Sequence, residues 1–181
     1  MKRRTNDQKL RLIAALGLGL GGVFGLAGSL TTSPEWRGVA WGIDGVALVV
    51  ASALLTVRYL RLGEEWVAAG FIVFAVGQGL ILSGAAMEIL ASRPSFGAGA
   101  SLWAAALVLI SGPRVFPFWV RMLGLITAVL FAITAVQIFA GVPLHPKSEP
   151  MPFYAYPVFF ATLVGWIWSL VKESPAPRTD D

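Results

Sequence analysis

The chain has 181 residues, of which 56% are hydrophobic and 13% charged, and its mean hydropathy is +0.73. Soluble domains carry roughly a quarter charged residues, so this composition excludes an ordinary water-soluble domain and points to the bilayer. With a net charge of +4 and no cysteine, disulfides, thiolate catalysis, iron–sulfur clusters and cysteine zinc sites are excluded. The basic residues flank apolar runs and form no aromatic-interleaved patch, which also excludes nucleic acid as a partner.

The chain opens on the basic segment 1–11, MKRRTNDQKLR, followed by the first apolar run, Leu12–Leu30. That pairing also fits a cleavable signal peptide with small residues at Gly25 and Ala27. A run of about 19 residues exceeds the usual signal core, however. Gly17, Gly21 and Gly25 form a small-xxx-small ladder suited to helix packing, so a retained first helix is expected.

Five further runs follow: Gly38–Val57, Trp66–Leu90, Phe96–Gly112, Phe118–Gly141 and Tyr154–Val171. Each approaches the roughly 20 residues a spanning helix needs. Proline is expected to end helices at Ser33-Pro34, Arg93-Pro94, Gly112-Pro113 with Pro117, and Pro143 to Pro146. The expected fold is therefore all-α, a polytopic bundle of six transmembrane helices over 12–172, with a disordered cytoplasmic tail over 173–181. A cytoplasmic N-terminus leaves only Arg37, Arg93 and Lys147 outside, and the other eleven of the fourteen Lys and Arg inside. That asymmetry predicts both termini inside a bacterial cytoplasmic membrane. If the alanine- and glycine-rich fourth run did not span, the bias would nearly vanish.

In lipid, close helix contact needs small side chains. At about 100° per residue, Gly38, Gly42, Gly45, Ser52 and Thr56 share a stripe of the second helix. Gly70, Gly77 and Gly84 do so in the third helix, and Gly124, Thr127, Thr134 and Gly141 in the fifth. Trp36, Trp41, Trp66, Trp119, Tyr154, Trp166 and Trp168 fall near span ends and read as an aromatic belt.

Asp44, in WGIDGVAL, stands about 115° from its own glycine stripe, on a face with Arg37, Trp41, Leu48 and Ala51. A carboxylate facing acyl chains costs at least about 3 kcal/mol, so Asp44 belongs in a bundle interior or a wet cavity. Glu88, beside Arg93, fits an interfacial carboxylate. Gln78 and Gln137 fit interhelical hydrogen bonds first and cavity lining second. Arg121 fits snorkelling to the cytoplasmic phosphates. His145 is the single histidine, and its spacing from Asp44, Glu88 and Glu149 matches no metal motif.

Asp44, Glu88, Gln137, His145, Ser29 and Tyr156 all map to the outer half of the bundle. They suggest a ligand-binding pocket open to the outside, with Asp44, Glu88 and Gln137 as its candidate residues. The expected function is a non-enzymatic binding or transport component for a small polar, ionic or lipid ligand, without cofactor or metal. The alternative is a structural or interaction protein in which Asp44 only fixes helix packing. No nucleophile–base pair and no G-x-S-x-G elbow supports an enzyme. The expected partners are the lipid bilayer and that ligand, with assembly into a homo-oligomer left open.

Overall fold

In the computed structural model, residues 2–85, 89–142 and 155–172 are described. They form six helices: α1 (Lys2–Leu30), α2 (Pro34–Arg61), α3 (Glu65–Ala85), α4 (Ile89–Ser111), α5 (Phe118–Phe139) and α6 (Ala155–Lys172). All six are long and apolar enough to cross a membrane. The tail 173–181, expected to be disordered, lies outside the described residues.

Local chemistry explains most helix ends. α2 starts with Ser33 as N-cap, its hydroxyl accepting from the Trp36 amide, and with Pro34 in the first helical position, where a missing N–H costs nothing. Gly63 and Gly141 follow α2 and α5 with positive φ of 77° and 85°, a backbone conformation other residues adopt only with strain. Two boundaries differ from the sequence reading. α1 begins at Lys2, so the basic segment continues the first helix, supported by an Asp7–Arg11 pair one turn apart at 3.5 Å. Pro94 lies inside α4 and ends nothing. It forfeits one bond of the helix ladder near the helix start, where few bonds depend on it.

Each helix packs antiparallel on its chain neighbours, and α6 closes the ring onto α1. Among the described residues no other helix pair makes backbone contact. Small residues set the close approaches. A Cβ at Gly99 of α4 would stand 2.8 Å from the Gly77 carbonyl oxygen of α3, and a Cβ at Gly70 would stand 3.1 Å from the Ala106 carbonyl oxygen. The expected α3 stripe is therefore a real contact face. The α2 stripe is only half of one: Gly45 meets Leu82 of α3, while a Cβ at Gly38 or Gly42 would have no neighbour within 4 Å among the described residues. On α5, Gly124 sits against Ser111, and Thr127 shares a 3.0 Å hydrogen bond with Thr162 of α6.

The centre of the ring is filled by aromatic side chains. Tyr59 stacks on Phe71, Phe71 meets Trp166 edge-on, and Phe74 and Phe159 both stack on Trp103. Trp166, expected in the belt, is instead a core residue with 1% of its surface exposed. Its position in the middle turns of α6 faces the ring interior, and belt or core is decided by that rotation. Trp36 and Trp66 remain exposed at helix starts. Large apolar side chains such as Leu16, Val23, Val46, Val129 and Val136 cover the outside of the ring, the surface a lipid environment requires.

At the end of the bundle that carries most basic residues, Arg58 is buried at 4% exposure and lies 3.5 Å from Asp7, which also pairs with Arg11. Arg121 is engaged by the protein itself. Its Nε donates to the Ser111 carbonyl at 2.8 Å and its Nη2 to the Gly112 carbonyl at 2.6 Å. It thereby caps the C-terminus of α4, where unpaired carbonyls and the helix dipole both favour a cation.

Candidate functional site

The α1 glycine ladder and the Asp44 face of α2 are two sides of one interface. Running antiparallel, Gly17 faces Ala51, Gly21 faces Leu48, Gly25 faces Asp44 and Gly28 faces Trp41. A Cβ at Gly25 would stand 3.2 Å from the Asp44 carboxyl carbon and 3.3 and 3.4 Å from its two oxygens. The carboxylate thus fits only because α1 has no side chain there. This answers what Asp44 faces: the bare backbone of the first helix.

Asp44 stands ten residues into α2, about 15 Å along the helix. From the third helix Gln78, 1% exposed, donates its Nε2 to Asp44 Oδ2 at 3.2 Å. Among the described residues no basic side chain forms an ion pair with Asp44. Arg37, on the same face of α2, turns the other way: its Nη2 donates to the Thr31 carbonyl at 2.9 Å, and its guanidinium lies 5.9 Å from the Trp41 ring centre.

On the side away from Gln78 the carboxylate lines a small cleft. Gly21, Gly22, Gly25 and Leu26 of α1 form one wall, Tyr156, Phe159, Phe160 and Leu163 of α6 the other, and Trp103 of α4 closes the back. The enclosed space is about 10 Å³, room for roughly one water-sized guest. Phe74 and Phe159 both pack on the Trp103 ring, 5.8 Å from each other. Trp103 Nε1 and Gln78 Oε1 are both buried without a hydrogen-bond partner. A buried donor and a buried acceptor left unpaired are unusual, since most such groups are satisfied.

Of the expected site residues, Asp44 is central. Gln137 lies on α5, is half-buried, and is not among the residues of the cleft, so the structure does not bring it to Asp44. Glu88 and His145 lie outside the described residues. Tyr156 does join the cleft, as its outer-half position suggested, and Gln78 is Asp44's direct partner across helices, as its depth suggested. Trp103 had no sequence signal. It sits mid-run in an alanine-rich helix, and only the neighbouring ring of helices turns it toward the cleft.

Comparison with known proteins finds no family model that matches the chain, and no curated protein or solved structure significantly similar to it.

Proposed function

We propose that the chain is a non-enzymatic protein of a bacterial cytoplasmic membrane, with both termini inside, that binds a small cationic group at Asp44. The observation that carries the reading is a carboxylate that has no basic partner among the described residues, set in an apolar span beside a cleft. A lone charge there costs several kcal/mol, so its compensation comes from outside the chain, as a proton or a cationic ligand. The six apolar helices and the skewed distribution of Lys and Arg support the membrane and its orientation. Single cysteines at Thr32 and Glu65, in a protein with none of its own, test that orientation: an impermeant thiol reagent should label the first from outside and spare the second.

A structural role is the competing reading, favoured by the Gln78–Asp44 hydrogen bond that joins α2 to α3. Asp44→Asn separates the two. It removes the charge and keeps the size, so under the binding reading methylammonium raises the melting temperature of the wild type and leaves that of the variant unchanged. The stabilisation is RT ln(1 + [L]/Kd), about 2.7 kcal/mol at a hundredfold excess over Kd. Absence of a methylammonium effect in the wild type, together with a lower melting point for Asp44→Asn, would return Asp44 to a packing role.

A further inference from the structure

The cleft does not open toward the end of the bundle where α2 begins. One turn from Asp44 toward that end, the Trp41 indole lies directly on Gly28, over the groove between α1 and α2. Arg37 stands above the same indole and is tied to Thr31. A water-soluble ligand descending this groove would have to lift a tryptophan off the backbone it packs against.

The other side is different. The walls of the cleft come from α1 and α6, and α6 makes the thinnest backbone contacts of any helix in the ring, on both of its flanks. At the seam a Cβ at Gly22 would meet the Phe160 ring at 3.1 Å and Leu163 at 3.3 Å, and one at Gly19 would reach only Ile167 at 3.9 Å. Phe160 is half-buried, so one ring lying on a glycine separates the Asp44 cleft from the outside of the bundle. Exposed Leu16, Leu20 and Val23 on α1 and Val164 on α6 flank this seam. Gly22 stands eight residues from the Leu30 end of α1, about 12 Å along the helix, and the opening faces the apolar belt of the bundle.

We infer that the ligand reaches Asp44 sideways from the hydrocarbon layer, through the α1–α6 seam with Phe160 as its flap, and is an amphiphile with an ammonium head and an apolar chain. The inference rests on the cation-binding reading of Asp44. The head group meets the Asp44 carboxylate, which among the described residues has no basic side chain paired with it, while the chain lies along the glycines of α1 in place of the displaced ring. A space of about 10 Å³ admits no such head group while the ring is down, so movement of Phe160 is part of binding.

The test uses the full chain in lipid nanodiscs, carrying Gly22→Cys and Phe160→Cys, with both cysteines unique to the variant. A short reducible bis-thiosulfonate links them across the seam, and dithiothreitol releases them in the same preparation, so each sample is its own folding control. The probes are radiolabelled dodecylammonium and methylammonium. Linking should slow the association of both dodecylammonium and methylammonium at least tenfold, and reduction should restore both. Equal rates in linked and reduced protein for either probe overturn the lateral route. If methylammonium binding still depends on Asp44 in those cases, the pocket reading stands without the route. If Asp44→Asn binds both probes as the wild type does, the pocket reading itself fails. Discs of phosphatidylglycerol alone, compared with discs containing phosphatidylethanolamine, assign the ammonium group: competition by the second lipid identifies an aminophospholipid, and its absence a free amine.

Discussion

The contact between α3 and α4 allows a sharp test of the packing. In Gly99→Ala the new methyl would stand 2.8 Å from the Gly77 carbonyl oxygen. Even favourable carbon–oxygen contacts lie at roughly 3.3–3.6 Å, so the two backbones must separate by roughly half an ångström. A gap of that size forfeits about a quarter of the dispersion energy of each contact across it, and overpacking of this kind costs about 1–3 kcal/mol. Alanine also favours the helix over glycine by about 0.8–1 kcal/mol, which hides part of the cost. Gly42→Ala removes that ambiguity, because it makes the same chemical change in mid-helix where nothing lies within 4 Å. The propensity gain cancels between the two variants, and the difference in stability is the overpacking alone. For a chain of this size 2 kcal/mol corresponds to about 4–8 °C in melting temperature. Thermal unfolding in mild detergent, followed by tryptophan fluorescence, should place Gly99→Ala below Gly42→Ala by that margin, with Gly42→Ala at or above the wild type. Equal melting points, or a loss confined to Gly42→Ala, would refute the assigned α3–α4 interface.

Arg121→Met should lower stability by about 1.5–3 kcal/mol in the same assay, because two charge-assisted bonds to the end of α4 are lost. Arg121→Lys should recover only part of it, since one ammonium cannot reproduce the guanidinium fork. For the hydrogen bond between Thr127 and Thr162, a double-mutant cycle with valine at each position should give a coupling of about 0.6 kcal/mol and no more than about 1.7. A coupling of zero would mean that the two hydroxyls, each also bonded to its own helix, do not hold α5 to α6.

Much of the bundle is legible in the chain because the signals are local. Apolar length marks all six helices, and Ser33-Pro34 and Gly141 mark ends through backbone geometry that depends on no distant partner. The glycine ladder of α1 also reads correctly as a contact face, since three glycines spaced by four residues leave a continuous groove. The α2 stripe shows the limit of that reasoning. Gly38 and Gly42 carry the same periodicity as Gly45, yet among the described residues only Gly45 has a neighbour, because Leu82, which meets Gly45, is already in the last turn of α3. Trp166 fails for a related reason: its position along the span does not reveal whether the side chain rotates toward lipid or toward the ring interior.

By itself the sequence determined the class of this protein, the number of its long apolar helices and the presence of one carboxylate that has to be shielded from acyl chains, since these follow from composition and period along a single chain. Only the tertiary structure decided what shields it. The antiparallel register of α1 on α2 puts Gly25 against Asp44, and the crossing of α3 delivers Gln78 to the same oxygen. The closure of the ring by α6 leaves Gln137 elsewhere and brings Tyr156 and Phe160 to the cleft. Those relations depend on the rotation and register of whole helices, which the summed packing of many distant side chains sets and no local stretch encodes.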